Sequence, residues 1–122
     1  MYAAFGRGDI PAILEKLDDN VEWDTDIEGS GVPWLEPRRG KANIAGFFES
    51  LAPLNFTTFD PLTIIGEGDK VIALVHLEVD TQGEHYSFPH EGHYWVFNKN
   101  GKVMKYEHVT DTALHWRMAN GR

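Results

Sequence analysis

Two histidines stand among aromatic and β-branched residues in the stretch from 90 to 111, HEGHYWVFNKNGKVMKYEHVTD. An imidazole has a pKa of about 6.5, so His93 and His108 could transfer protons near neutral pH if they face a pocket. Because side chains alternate along a strand, His93 shares one face with Trp95, and His108 shares one face with Tyr106. We therefore expect both rings to face the interior. The alternative is that hydrogen bonds within a polar patch of the core satisfy them.

A β-hairpin is predicted to hold these two histidines on neighbouring strands. Residues 94–97, YWVF, are aromatic and β-branched, which favours a strand. Residues 98–101, NKNG, form the turn, because an Asn-Gly pair tolerates positive φ. Residues 103–109 then supply the partner strand.

Three histidines, His85, His90 and His93, are the candidates for a metal site by spacing. Residues three apart on a strand point to opposite faces, so His90 and His93 are not expected to share an ion. The chain also has no cysteine and no HExxH motif. We therefore predict no metal, and no nucleotide cofactor either, since no glycine-rich phosphate loop follows a strand.

Composition limits the classes of partner. The chain has 122 residues, which predicts one domain over 1–122. It carries 11 basic and 19 acidic residues, a formal net charge of −8, so we expect neither nucleic acid nor an anionic membrane as a partner. No signal peptide or membrane-length apolar run is apparent. A soluble cytoplasmic protein is the expectation.

Helices are predicted from apolar stripes of period 3.6 and from capping residues. Met1–Gly6 is typical of the end of a helix. Asp9 caps a second helix, which is predicted to end at Asp18–Asn20. Lys41–Leu51 forms a third helix, and Thr112–Met118 a short terminal one.

Strands are predicted over 21–24, 56–65 and 71–79, in addition to the hairpin. Pro61 interrupts the second of these and indicates a bulge or an edge strand. Residues 25–40 form a long polar loop around Trp34. Helices and strands are segregated, which is the α+β pattern. The predicted fold is a cone-shaped, strongly curved antiparallel sheet wrapped on helices.

The strand at 71–79 has two unlike faces. One is uniformly apolar and is expected to face the core. The other begins with Ile72 and Leu74 and ends with Glu78 and Asp80. We expect its apolar half to form the surface of a homodimer.

Several motifs recur in the order and spacing of a known family: FGRGDIPAILEKL, DDNVEW, VPW, RRGKANIAGFF, NGKV and YEHVTDTAL. In these motifs the chain resembles the SnoaL-like, ketosteroid isomerase-like branch of the nuclear transport factor 2-like superfamily. The resemblance covers nearly the whole chain. It implies a cone-shaped α+β barrel with a largely apolar pocket at its open end, often in a homodimer. It does not fix the activity, because this fold hosts isomerases, cyclases, hydrolases and non-catalytic binders.

The resemblance to ketosteroid isomerase also implies site residues. Its general base falls on Asp24, and its protonated aspartate falls on His93 or a neighbour. Its remaining oxyanion donor, a tyrosine on the first helix, falls on Met1 or Tyr2, with the alignment favouring Met1. This donor is therefore expected to be absent, which argues against steroid isomerisation itself.

Strand alternation conflicts with a pocket-facing Asp24, because Trp23 lies on the opposite face. Either the strand ends and bends at Asp24, or Trp23 faces the pocket and Asp24 is solvated. Asp26 and Glu22 are weaker candidates for the base. Asp111 fits a helix N-cap better than an acid–base role.

The resulting prediction is a cofactor-free pocket protein that transfers protons on a small hydrophobic molecule with a carbonyl, enol or epoxide group. Asp24 would abstract or relay a proton, while His93, helped by His108 and Tyr106, would donate hydrogen bonds to oxyanion charge. A non-catalytic binding module is the first alternative, and a dimerisation domain with a filled cone is the second. The predicted substrate-binding residues are aromatic: Trp23, Trp34, Phe47, Phe48, Trp95 and Tyr106.

Overall fold

The computed structural model of the chain describes residues 4–5, 8–27 and 29–121. The helix end predicted over Met1–Gly6 lies outside the described residues except for Ala4 and Phe5, which are helical. No helix in the described part of the chain is long and apolar enough to cross a membrane.

Two of the three helices bounded below, all in the described part of the chain, have the N-caps that the sequence indicates. The Asp9 side chain accepts a hydrogen bond from the Ala12 N–H at 3.2 Å, and Asp111 accepts one from the Leu114 N–H at 2.9 Å. Both predicted N-caps are therefore confirmed. Short 3₁₀ turns at Pro33–Leu35 and Lys41–Asn43 precede the second helix. The helices are α1 (Ile10–Glu15), α2 (Ile44–Ser50) and α3 (Thr112–Asn120).

Six strands form one mixed sheet in the order β2-β1-β6-β5-β4-β3. The α+β prediction is confirmed, with the difference that β1 runs parallel to β6 while every other neighbouring pair is antiparallel. The sheet is not closed: β2 and β3 are its edges among the described residues. The strands are β1 (Leu17–Trp23), β2 (Arg38–Arg39), β3 (Asn55–Glu67), β4 (Lys70–Thr81), β5 (Glu84–Phe97) and β6 (Val103–Val109).

Residues Asp18–Asn20 belong to β1, so the prediction that they end the first helix was wrong. The helix stops at Glu15, and Leu17 already pairs with Val103 of β6. Leu17 is 1% exposed, because it enters the core as the first residue of a strand rather than as part of the apolar stripe of a helix. An i, i+3 spacing that runs from a helix into a strand gave the false signal.

The predicted strands 56–65 and 71–79 correspond to β3 and β4, whereas the strand predicted over 21–24 starts at Leu17 and ends at Trp23. The loop predicted over 25–40 was wrong at Arg38–Arg39, which form β2. Pro61 lies on the edge strand β3, at a register shift between Pro61 and Thr63, so the sheet loses no central hydrogen bond to it. Alternate residues of β4 (Ala73, Val75, Leu77 and Val79) are buried, as predicted.

The β5–β6 pairing positions the histidines. His93 lies opposite His108, and Trp95 lies opposite Tyr106. One residue before His93, Gly92 lies opposite Val109. A Cβ at Gly92 would stand 2.7 Å from the Val109 carbonyl oxygen and 3.0 Å from its Cβ. Only glycine therefore lets the two strands approach this closely beside the histidine pair.

We expect Gly92→Ala to lower the free energy of unfolding by about 1–3 kcal/mol, because the added methyl group would clash with backbone that neighbouring strands hold in place. Urea denaturation would measure the change. Gly46→Ala is the matched control. Gly46 lies inside α2, and the nearest atom to its added Cβ would be Arg38 Nε at 3.8 Å. Because alanine favours a helix more than glycine does, we expect this substitution to be neutral or to stabilise by about 0.5–1 kcal/mol. Equal effects of the two variants would contradict the argument.

Candidate functional site

A cavity of about 80 Å³ lies between the inner face of the sheet and the helices. Most of its wall is aromatic or aliphatic, and its polar groups are few. Glu91, His93, His108 and His115 reach it from β5, β6 and α3. The residues predicted to bind substrate all line it: Trp23, Trp34, Phe47, Phe48, Trp95 and Tyr106.

The cavity adjoins a wide depression of the surface near α1 and α2. The two spaces share a ring of apolar side chains, which form the mouth of the cavity. A ligand could therefore place one end inside and leave its remainder in the depression. The shared residues are Phe5, Phe48, Leu51, Leu54, Phe56 and Phe59.

Asp24 and His108 form a buried pair at the wall of the cavity. Asp24 Oδ2 accepts a hydrogen bond from His108 Nδ1 at 2.7 Å, and Asp24 Oδ1 accepts one from the backbone N–H of His108 at 2.7 Å. The side chains are 0% and 8% exposed, respectively. With Nδ1 donating to the carboxylate, a neutral His108 ring keeps the lone pair on Nε2.

The chain bends sharply at Asp24, where β1 ends. Its φ is +56°, in the left-handed region that aspartate tolerates better than most residues, and its N–H donates to the Tyr106 carbonyl at 2.8 Å. Of the two arrangements considered from the sequence, the first holds: the strand bends at Asp24. Trp23 nevertheless faces the cavity, and Asp24 is buried behind His108 rather than lining the cavity.

His93 is held as a neutral ring. Burial, strengthened by the nearby His108, lowers the pKa of His93 from its ordinary value to about 3. The ring is surrounded by aromatic neighbours, with centroid distances of 5.5 Å to Tyr106 and 5.7 Å to His108. A neutral imidazole can donate one hydrogen bond and accept another.

A second polar group of the cavity is centred on Glu91, which is 1% exposed. Trp34 Nε1 donates to His115 Nδ1 at 2.8 Å, so the proton of a neutral His115 is on Nε2, which donates to Glu91 Oε1 at 3.0 Å. The Thr110 hydroxyl donates to the other carboxylate oxygen. Burial raises the pKa of the Glu91 carboxyl, but the hydrogen bonds from His115 and Thr110 and the electrostatic effect of His115 and His108 outweigh it, so the net pKa lies below the usual value.

Sequence analysis did not single out Glu91 or His115. A signal for Glu91 was present, because it lies two residues before His93 and so shares its face of β5. For His115 there was little signal, since its partner is 24 residues away and on another element.

Two of the weaker candidates for the base lie away from the cavity. Glu22 forms an exposed ion pair with Arg39, and Asp26 forms one with Lys105. Neither lines the cavity.

Trp23 has an unusual indole group. The side chain is 2% exposed, and its Nε1 has no hydrogen-bond partner in the described part of the chain. A buried donor without a partner is rare in native structures and costs about 1–3 kcal/mol. Because Trp23 lines the cavity, a ligand with an acceptor oxygen could satisfy this donor.

An open sheet folded over three helices around a cavity places the chain in the nuclear transport factor 2-like fold. The sequence profile of the SnoaL-like domain matches residues 1–106, so the chain belongs to this family. The resemblance stated from the sequence is therefore confirmed. No curated protein matches the chain.

Solved structures agree with this assignment. A nuclear transport factor 2-like protein of Burkholderia thailandensis is 26% identical, with a TM-score of 0.78 over 93% of this chain and 86% of that one. TerC, crystallised with polyporic acid, is 25% identical, with a TM-score of 0.73 over 98% and 92%. A Rhodopseudomonas palustris protein provisionally described as an isomerase is 20% identical, with a TM-score of 0.74 over 99% and 90%, and shows the fold alone.

The pKa of His93 makes stability depend on pH. Its pKa is about 3 in the folded chain and about 6.5 when unfolded, so between these values the unfolded chain binds more protons. We therefore expect the free energy of unfolding to fall as the pH is lowered from about 6.5 towards 3, and to fall less steeply in His93→Phe. Urea denaturation at a series of pH values would measure both slopes. Identical slopes would show that His93 is not buried in its neutral form.

Proposed function

We propose that this chain binds a small hydrophobic molecule in the cavity and catalyses proton transfer on it with its own side chains. The observation that carries the proposal is the Asp24–His108 pair at the wall of an apolar cavity. The proposal belongs to the chemistry of isomerases and cyclases, in which a proton next to a carbonyl or enol group is moved.

His108 is the proposed base. Its Nδ1–H donates to Asp24, so Nε2 is the nitrogen that accepts a proton from the ligand. When His108 becomes protonated, the carboxylate beside it stabilises the imidazolium charge, which would be costly in an apolar site without a partner. Asp24 is thus a positioning residue that relays charge, and it does not itself touch the ligand.

Two groups are available to stabilise oxyanion charge. The Trp23 indole N–H is a buried donor without a protein partner among the described residues. The His93 ring also lines the cavity, and its low pKa keeps it uncharged at neutral pH, so it is the second group proposed to face the developing charge. Donors that are fixed in an apolar environment stabilise developing charge more strongly than water does.

The dimensions of the cavity limit the ligand. Its volume of about 80 Å³ is well below the roughly 300–1,000 Å³ typical of pockets for larger ligands. The reactive end of the ligand is therefore small, and any apolar remainder lies among the mouth residues or in the depression beyond them. TerC, which was crystallised with polyporic acid, supports small-molecule binding by this fold.

Asp24→Asn tests the base. Asparagine tolerates the left-handed backbone, but its amide would donate to His108 Nδ1 and force the ring proton onto Nε2. We expect turnover of a panel of small enones and epoxides to fall by roughly 10²–10⁴-fold, with a similar loss in His108→Gln.

Asp26→Asn is the matched control for this experiment, because it makes the same chemical change in the same loop at an exposed ion pair. It is expected to leave turnover unchanged. Full activity in Asp24→Asn and His108→Gln, both folded by circular dichroism, would remove the catalytic assignment.

Trp23→Phe tests the donor, because it keeps an aromatic ring and removes the N–H. We expect it to lower kcat more than it raises KM, since the hydrogen bond strengthens as charge develops. Trp116→Phe, at a tryptophan that is 39% exposed and does not line the cavity, is the control. If both variants behave alike, the indole N–H has no part in the reaction.

A non-catalytic binding module is the second candidate. It is favoured by the fact that the carboxylates of Asp24 and Glu91 already have hydrogen-bond partners within the protein. Native mass spectrometry that detects a bound ligand, together with no turnover in the unaltered chain, would favour binding alone.

A homodimer stays a prediction. Ile65 and Ile72, which pair on β3 and β4, are 63% and 47% exposed.

A further inference from the structure

Three metal-ligating side chains converge at the polar end of the cavity. Glu91 and His93 are two residues apart on β5, and His108 lies opposite His93 on β6. One ligand atom from each of the three lies within 4.8 Å of the others. We propose that Glu91, His93 and His108 form a binding site for a divalent transition-metal ion.

Two of these three side chains, His108 and Glu91, accept or donate hydrogen bonds of the kind found behind metal ligands. Asp24 accepts from His108 Nδ1, which leaves Nε2 as the ligand nitrogen and gives the carboxylate–histidine arrangement common behind metal ligands. His115 and Thr110 donate to the Glu91 carboxylate and fix its orientation. A carboxylate has about four lone-pair sites, so these two bonds leave room for an ion.

Two buried carboxylates lie at this site. Glu91 is 1% exposed and Asp24 is 0% exposed. Asp24 is hydrogen-bonded to the proposed ligand His108. Buried negative charge is costly without a partner, and a divalent ion held by Glu91, His93 and His108 would supply compensating positive charge.

The ligand set indicates the kind of metal. Two imidazoles and one carboxylate suit Zn²⁺, Fe²⁺ or Co²⁺ and do not suit Ca²⁺ or Mg²⁺, which prefer oxygen ligands. Zinc ligands at about 2.0–2.2 Å in tetrahedral geometry are roughly 3.3 Å apart. Small rotations of the side chains would bring the three atoms from within 4.8 Å to that separation. The fourth position would face the cavity, as in catalytic rather than structural zinc sites.

The prediction from sequence was that no metal binds, and it considered His85, His90 and His93. His85 is instead paired with Glu78 and Asp80 at the exposed end of β4 and β5. The proposed set differs because Glu91 and His93 are two residues apart on β5 and so share one face of that strand. The third ligand, His108, lies on the neighbouring strand β6.

The metal and the proposed proton transfer use the same atom, His108 Nε2. Occupancy by a metal would therefore block the base, and the two states exclude each other. Metal binding is measured without any organic ligand, so the failure of either proposal leaves the other testable.

The experiment is a titration of tag-free, chelator-treated protein with Co²⁺, followed by visible absorption, and then displacement by Zn²⁺. We expect one Co²⁺ per chain. Glu91→Gln and His93→Gln are expected to weaken binding by more than roughly 100-fold. The control is the double variant His76→Ala/His85→Ala, which removes the exposed imidazoles beside Glu78 and is expected to bind as tightly as the unaltered chain.

A measurement on the unaltered chain covers the case in which a buried variant fails to fold. Bound Co²⁺ should broaden the nuclear magnetic resonance signals of the His93 and His108 rings and spare those of His76 and His85. The proposal is overturned if Co²⁺ and Zn²⁺ do not bind at up to millimolar concentration. It is equally overturned if binding disappears in the double variant or persists in Glu91→Gln, or if the exposed rings are the ones broadened.

Discussion

The arrangement of the cavity wall depends on the two hydrogen bonds between the Asp24 carboxylate and His108. The carboxylate lies fully buried where β1 ends and accepts two hydrogen bonds from one residue, His108: one from the backbone and one from the ring. A buried carboxylate is tolerable only when such donors replace water, and breaking a buried pair by removing one partner costs about 3–5 kcal/mol. The same contacts that let the carboxylate exist inside the protein therefore fix the orientation of the imidazole.

The parallel pairing of β1 and β6 makes this contact possible. Trp23 lies beside Tyr106 in the ladder, so the next residue along β1 arrives beside the following residues of β6. The bend at Asp24 then directs its side chain back towards His108. Glu91, in turn, receives its hydrogen bonds from His115 of α3 and from Thr110, the residue after β6. Two buried carboxylates, Glu91 in the lining of the cavity and Asp24 behind His108, thus receive their hydrogen bonds from elements that pack against them.

Much of the architecture was predictable from local signals. The caps at Asp9 and Asp111, the turn before Val103 and the alternation along β4 each depend on a few neighbouring residues. The errors came where one local pattern fitted two structures, as at Asp18–Asn20. The depth of Asp24 and the pairing of Glu91 with His115 depend on contacts between distant elements, and period-two alternation carries no information about those.

The buried indole N–H of Trp23, which has no hydrogen-bond partner in the part of the chain that the structure describes, would influence which ligands the cavity selects. Burial removes the hydration of this donor, and no acceptor among the described residues replaces it. A hydrocarbon that fills the same space would leave the indole N–H without a hydrogen bond, whereas a ketone or quinone oxygen would accept one from it. Such a site selects ligands by polarity rather than by shape. A site built to form a hydrogen bond rejects an analogue that lacks the matching group strongly, whereas an apolar site rejects one extra methylene only weakly. The cavity would therefore sort oxygenated compounds from their deoxygenated counterparts.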